Sequence, residues 1–354
     1  MVDCARQRIV QVKRQPLTIL VTLEPDDKAL ERVRAACPDC CIRVGPRIES
    51  PAERLPAKLM RGTDILLCEF PPVNFDGFDQ LQWIQLSSAG YTQLRDLPIL
   101  QRGIRVTNGL GNFDVPIAEW NVMMMLMWER EIRVQLENQK RKIWDRAAQF
   151  QSDVFGRTIG FFGYGGIARA TARVAQALHL KVWAMTRDGT TKPRDRIYCV
   201  PGTGDPAGEL PDRVFSPDDI EEFMGDVDYL FVTMPLTNAT EGILGERELR
   251  MLKPSAVLIN PARAGIVNEQ ALLRCLREKW IRGASFDVHY EYPLPAEHPL
   301  WEMPNIILTC HVSGSCSSPH FLERIYDIFS RNCRAFVNGE SMLNELSESQ
   351  LRGH

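Results

Sequence analysis

Gly163-Tyr164-Gly165-Gly166-Ile167-Ala168 sits between an apolar run, Thr158 to Phe162, and a stretch with helical spacing. That setting turns a glycine run into a place to lay a pyrophosphate. The short β-rich run reads as a buried parallel strand. Gly163 suits the tight turn, and Gly165 lets the backbone approach a phosphate closely. Ala168 stands where a third glycine often stands and is small enough for helix–strand packing. Ile167, Thr171, Val174, Ala175 and Leu178 recur at helical spacing, which predicts one core-facing stripe. The helix start offers N–H groups and a positive dipole end to the pyrophosphate.

The next strand, Val182 to Met185, ends at Thr186 and Arg187. NAD enzymes carry an Asp or Glu roughly 20 residues after the glycines, bonded to the ribose 2′-hydroxyl. A carboxylate repels a 2′-phosphate, whereas a hydroxyl and a guanidinium bind one. The pattern favours NADP(H), with NAD(H) possible. In the NAD version Arg187 stacks on the adenine and Asp188 faces the ribose. Two further residues stand at strand ends, where open α/β sheets bind ligands: Arg263 after Val257 to Asn260, and His311 after Ile306 to Thr309.

These positions need a scaffold. Leu17 to Leu23, Ile65 to Phe70, Trp83 to Leu86 and Ile104 to Thr107 read as strands of a first α/β unit. Val115 to Asp145 reads as a long helical segment with a possible break, apolar through Trp128 and then charged. After the glycine unit, Asp226 to Met234 and Gly283 to Val288 add strands to those already named, and Pro319 to Asn338 reads as an amphipathic helix. Between 189 and 216 lies a Pro/Gly/charged excursion, longer than most βα connections and expected at the surface, functional or mobile. The last dozen residues are polar and expected to fray.

The composition is that of an ordinary soluble globular protein. The 354 residues suggest two domains, and a net charge of −3 gives no reason to expect nucleic acid or an anionic membrane. Trp120 to Trp128 is too short to span a bilayer. No signal peptide is read at the N-terminus. Of the ten cysteines only Cys37, Cys40 and Cys41 cluster, without zinc spacing or a nearby His. Reduced thiols in a cytoplasmic protein, with no metal, are the expectation.

From about residue 60 to 340 the chain resembles the D-isomer-specific 2-hydroxyacid dehydrogenases. The segments that carry this are Trp144 followed by the 158–168 loop, Pro235-Leu236-Thr237-Asn238-Ala239-Thr240, Ile259-Asn260-Pro261-Ala262-Arg263, Phe286-Asp287-Val288, Pro293-Leu294-Pro295 and Thr309-Cys310-His311-Val312-Ser313-Gly314. The resemblance implies an α/β fold of two doubly wound parallel-sheet domains with an interdomain active-site cleft. Residues 1–115 plus 312–354 would form a flavodoxin-like substrate domain, and 116–311 an NAD(P)-binding Rossmann domain. It implies a homodimer through the cofactor domain and the helix near Pro116, with a small 2-keto or 2-hydroxy acid as the other partner.

The residue roles follow from the same likeness. Arg263 would bind the substrate carboxylate and carbonyl oxygen, a task that suits the guanidinium fork. His311 would be the acid/base, and Ser88, Ala89 and Gly90 would hold the carboxylate through backbone N–H groups. Gly163 to Ile167, Thr186, Arg187, Pro235, Thr240, Pro261, Ala262 and Gly314 would line the cofactor, and Asp287 would lie near the nicotinamide carboxamide. Arg263 pairing with Glu269 at the surface is the alternative for that residue.

One position departs from the pattern. The family places a Glu five residues after the Asp, hydrogen-bonded to the histidine and raising its pKa. Here it is Tyr292, with Glu291 one residue early. On an extended pre-proline segment neighbouring side chains point oppositely, so Glu291 is expected to face away and Tyr292 to face His311. A tyrosine can orient the imidazole through its hydroxyl but adds no charge. The His311 pKa is then expected nearer the ordinary value of about 6.5. The family's formate dehydrogenases carry Gln there. The reading is thus an NADPH-dependent 2-keto acid reductase. A nucleotide-binding, corepressor-like protein and formate-type hydride abstraction are the alternatives.

Overall fold

The computed structural model describes residues 16–352. The signal-peptide reading falls outside them. Two compact units appear. One holds the described residues up to Gly109 and those from Ile325 on; the other spans Leu110–Arg324. Residues 110–115 and 312–324, expected in the substrate domain, therefore belong to the cofactor-type unit.

The first unit has one parallel sheet, ordered β2-β1-β3-β4-β5. Its strands are β1 (Thr18–Val21), β2 (Cys41–Val44), β3 (Ile65–Cys68), β4 (Trp83–Leu86) and β5 (Arg105–Thr107). Helices α1 (Asp27–Ala36) and α2 (Ala57–Met60) connect them. β1, β3 and β4 are buried at every position, which is why they read clearly as apolar runs. β2 is an edge strand with no buried residue and was not legible. Cys37 and Cys40 are joined ahead of it. That corrects the all-reduced expectation for this pair; the other described cysteines are free.

The second unit starts with α3 (Asp114–Glu129) and α4 (Ile132–Lys140). The long helix thus breaks where Glu131 takes a left-handed conformation. Its strands are β6 (Thr158–Phe162), β7 (Lys181–Met185), β8 (Arg213–Phe215), β9 (Tyr229–Val232), β10 (Val257–Asn260), β11 (Gly283–Phe286) and β12 (Ile306–Leu308). Helices α5 (Gly166–Ala177), α6 (Ile220–Asp226), α7 (Glu246–Met251) and α8 (Glu269–Glu278) lie between them. α9 (Pro319–Asn338) begins in this unit and runs into the first, to which α10 (Glu348–Leu351) belongs. α10 is capped by Ser347 and Gln350, so the tail is more ordered than expected.

All strands of the second sheet are parallel, in the order β12-β11-β10-β9-β6-β7-β8. The chain leaves β6 toward β7 and later returns to β9 on the other side. The order reverses at β6, and open α/β sheets bind ligands at that point, outside the strands' carboxyl ends.

The buried residues of α5 are Ala168, Arg169, Ala170, Thr171, Ala172 and Ala175; of the predicted stripe Thr171 and Ala175 are buried, Ile167 and Leu178 half-buried and Val174 exposed. This corrects the predicted stripe. α5 lies close to α3, and Asn121 donates to the Thr171 hydroxyl across the contact at 3.0 Å; only small side chains fit there. Glu129, 1 % exposed at the end of α3, accepts from Arg157 at 2.6 Å and from the Tyr229 and Ser152 hydroxyls. Removing one partner of such a buried pair costs about 3–5 kcal/mol.

Candidate cofactor and acid–base site

The glycine loop follows β6. Gly163 has φ +97°, and a Cβ there would stand 2.9 Å from Met234. Glycine is the residue that takes this turn without strain. A Cβ on Gly165 would meet nothing nearer than the Thr233 carbonyl oxygen at 3.9 Å, so the backbone there is approachable. α5 begins at Gly166 with no side-chain cap, leaving its first N–H groups for an anion. This cradle fits a dinucleotide pyrophosphate. Tyr164 is buried and points away from it, its hydroxyl donating to Asp205 at 2.9 Å. Next door, Thr240 Oγ1 donates to the Pro235 carbonyl oxygen at 2.7 Å and fixes the loop after β9.

The 189–216 excursion, expected to be functional or mobile, is fastened to its unit by buried side-chain bonds. Asp205 accepts from the backbone N–H groups of Gly208, Glu209 and Leu210, each at 3.0 Å. Burial raises its pKa, but these bonds and the Tyr164 hydroxyl outweigh that and hold it below the usual carboxylate value. Arg169 donates to the carbonyl oxygens of Tyr164, Asp205 and Lys192. Sequence reasoning missed Asp114, Arg169 and Asp205, and weighed Arg194 only with Lys192 and Arg196 as a basic residue behind the second strand. The one available signal was a buried-type Gly-Asp-Pro turn at 204–206 inside a charged stretch.

At the end of β7, the Thr186 hydroxyl donates to the Thr190 carbonyl oxygen at 2.9 Å. Asp188 is held by Lys192 at 2.5 Å and by Thr190, and these bonds push its carboxyl down to about 2. Arg187 is exposed and makes no hydrogen bond or ion pair among the described residues.

Three strands along from β7, Asn260 shapes the loop after β10: its amide donates to the Arg263 carbonyl oxygen at 3.0 Å and its oxygen accepts from Ala262 N at 3.0 Å. Pro261 is buried between them, and Ala262 and Arg263 lie outward. Arg263 is exposed and has no carboxylate partner among the described residues. Glu269 pairs instead with His298 at 2.9 Å, which removes the surface-pair alternative.

His311 follows β12 in a left-handed conformation, φ +55°. Such a conformation needs support from its surroundings. Asp287, fully buried, accepts from Thr309 Oγ1 at 2.6 Å and from the N–H groups of Val312 and Ser313 at 2.9 Å each. Its carboxylate is spent on the loop that carries His311, and it faces that loop rather than open space. Partial burial lowers the His311 pKa below the ordinary imidazole value; Asp287 opposes this, and Arg263 and His289 add to it. As expected with tyrosine at 292, no paired Glu raises it, and the shift runs downward from the ordinary value. Gly314 packs against Phe113, with room for a Cβ at 3.1 Å only if that ring shifts.

Tyr292 does face His311, ring to ring at 5.5 Å. Its hydroxyl, however, accepts from His289 N at 3.2 Å and does not reach the imidazole, contrary to the orienting role foreseen for it. Glu291 is exposed and is not among the groups that shift His311. His289 bonds the Thr309 carbonyl oxygen through Nε2 at 2.8 Å.

Ser88, Ala89 and Gly90 lie in the first unit, after β4. Ser88 Oγ donates to the Gly90 carbonyl oxygen at 2.8 Å, and Asn108 donates to that of Ala89 at 2.7 Å. The N–H groups of Ala89 and Gly90 donate to nothing among the described residues. Those residues contain no cluster of metal-ligating side chains and no helix long and apolar enough to cross a membrane.

Comparison with known proteins accords with this geometry. Residues 122–313 match the model of the D-isomer specific 2-hydroxyacid dehydrogenase NAD binding domain. A glyoxylate reductase of Thermococcus gammatolerans is 32% identical over 274 residues, covering 75% of this chain and 76% of that protein. A glycerate dehydrogenase of Methylorubrum extorquens is 28% identical over 292 residues, 79% and 85% of the two chains. The crystal structure of a D-isomer specific 2-hydroxyacid dehydrogenase family protein from Aeromonas salmonicida superposes with a TM-score of 0.76 at 25% identity, covering 94% and 99%. A glycine cradle at the switch point of a parallel sheet, followed by an arginine and a histidine at neighbouring strand ends, thus places this chain in the D-isomer specific 2-hydroxyacid dehydrogenase family of NAD(P)-dependent oxidoreductases.

Proposed function

We propose that the protein is an NADPH-dependent reductase that converts a 2-keto acid to a D-2-hydroxy acid. The observation that carries this is the pairing of Arg263 and His311. Both are exposed at carboxyl ends of the second sheet, and the Arg263 charge acts on the imidazole. Arg263 holds the substrate carboxylate and carbonyl oxygen with its guanidinium fork. His311 donates its ring proton to that oxygen as the hydroxyl forms. Bound NADPH supplies the hydride. Asp287 keeps His311 in place by ordering its loop.

The choice of NADPH rests on the end of β7. Arg187 is unengaged among the described residues, while Asp188 is neutralised by Lys192 and Thr190. A 2′-phosphate meets a cation there and no bare carboxylate. Relatives named glyoxylate reductase and glycerate dehydrogenase make small 2-keto acids the first substrates to try.

The protein also works as a homodimer in this reading. α4 has no buried residue, and Leu136 and Trp144 are exposed at 50% and 89%. A second copy covering this face fits the family resemblance; light scattering giving a monomer mass would remove it.

The test is NADPH oxidation with glyoxylate, hydroxypyruvate and larger 2-keto acids, with chiral analysis of the product. Turnover giving the D-isomer supports the reading. NADPH binding without turnover on any of them would favour the nucleotide-binding alternative, and activity on formate alone the hydride-abstraction one.

A further inference from the structure

We propose that Arg194, carried by the 189–216 excursion, binds the cofactor's pyrophosphate at the start of α5. This rests on the dinucleotide reading above. A Cβ built on Gly166 would stand 2.0 Å from Asp114 Oδ2 and 2.4 Å from Arg194 Nη1. Those two side chains occupy the space in which a residue at the head of α5 would project its own side chain. Glycine at 166 is thus required by what fills the site from outside.

The Arg194 guanidinium stands against Gly166, the first residue of the uncapped helix. Its side chain is 21% exposed, and its nearest carboxylate oxygen, on Asp114, is 3.7 Å away. Among the described residues it donates no side-chain hydrogen bond. A guanidinium carries five N–H donors in a fixed fork. An enclosed cation with its donors unspent, beside the N–H groups that receive a pyrophosphate, lacks an acceptor of that charge. The Asp114 carboxylate is likewise buried with no hydrogen bond among the described residues, and serves to hold the guanidinium in place.

The excursion is rigid enough for the task. Arg194 N donates to the Pro206 carbonyl oxygen at 2.9 Å, beside the Asp205 turn that Tyr164 and Arg169 tie to the glycine loop. The residue that touches the phosphates is delivered by the loop, and the loop is delivered by the motif it serves.

The pyrophosphate is common to NADH and NADPH, whereas the 2′-phosphate is not. Dissociation constants for NADH, NADPH and ADP are measured by fluorescence and calorimetry for the wild type, Arg194→Ala, Arg194→Lys and Arg187→Ala. Loss of a charge-assisted contact of this kind weakens binding about tenfold or more. Arg194→Ala is expected to weaken all three ligands by that factor, with Arg194→Lys between it and wild type. Arg187→Ala is expected to weaken NADPH alone. Thermal melts without ligand, read alongside, separate the loss of the Arg194–Asp114 ion pair from the loss of a ligand contact, and Arg194→Lys keeps that charge. Unchanged binding in Arg194→Ala, or a loss confined to NADPH, overturns the proposal. Wild type that binds ADP but neither dinucleotide overturns the cofactor reading instead, and a tenfold loss of ADP in Arg194→Ala would still support the phosphate role.

Discussion

Replacing Tyr292 with Glu puts a carboxylate beside His311 and should move the pH limit of reduction. The two rings stand 5.5 Å apart. At that separation a unit charge pair is worth about 0.75 kcal/mol in water and about 3 kcal/mol at an effective dielectric of 20. Those energies correspond to about 0.5 to 2 pKa units. Tyr292 is 58% exposed, which places the shift toward the lower end, about one unit. The sign follows from the role. Reduction needs the imidazolium, and partial burial already holds the native His311 below its ordinary pKa. Native kcat/KM should therefore decline as pH rises through a value below the ordinary imidazole pKa, and the Tyr292→Glu decline should come about one unit later than the native one. The assay is kcat/KM for NADPH-dependent reduction between pH 5 and 9, with an NMR titration of the His311 ring as a readout independent of turnover. Tyr292→Phe serves as the control. The hydroxyl is spent on His289 N, so its loss should leave the limb where it was. A native profile flat to pH 9, or no shift in Tyr292→Glu by either readout, would refute the reasoning.

Asp287→Asn turns one of the two acceptor oxygens into an NH2 donor facing Ser313 N–H, or facing Thr309 and Val312 if the amide is flipped, and should cost about 1–3 kcal/mol of stability. Its kcat should fall while NADPH affinity stays near wild type; melts together with cofactor titration separate the two effects. Asp114 has its pKa raised to about 6, by burial that outweighs Arg194. Its contribution to stability is then full below the unfolded value, about 3.8, and lost as pH rises through 6. Asp114→Asn should melt higher than wild type at pH 8, with the difference vanishing toward pH 4. Gly163→Ala imposes a Cβ at φ +97° and 2.9 Å from Met234, and should lower stability by about 1–3 kcal/mol in chemical denaturation.

The sheet that carries the site was legible because its central strands are buried on both faces. β6, β9 and β10 are enclosed at every position and read as unbroken apolar runs. The edge strands β2 and β8 carry exposed, charged residues and gave no such signal. Gly163, Arg263 and His311 were found because each follows a strand that was found. What the spacing could not convey was how side chains are spent. Tyr292 faces His311 as foreseen, yet its hydroxyl turns to a backbone N–H three residues back. Asp287 looked like a cofactor contact and is occupied with the histidine loop. The anchors of the excursion, Tyr164 to Asp205 and Arg169 to Lys192, were not legible because they join residues 41 and 23 positions apart. Long-range pairing of that kind leaves no periodic trace in a single sequence.

The central claim is that Arg263 and His311 together reduce a 2-keto acid at the expense of NADPH. Initial rates of NADPH oxidation with glyoxylate and hydroxypyruvate at pH 6, for wild type, Arg263→Ala and His311→Ala side by side, test it most directly. The account predicts wild-type turnover, a loss of about 100-fold or more in kcat/KM in each variant, and unchanged NADPH binding in both. Turnover that survives His311→Ala at the wild-type rate would contradict it.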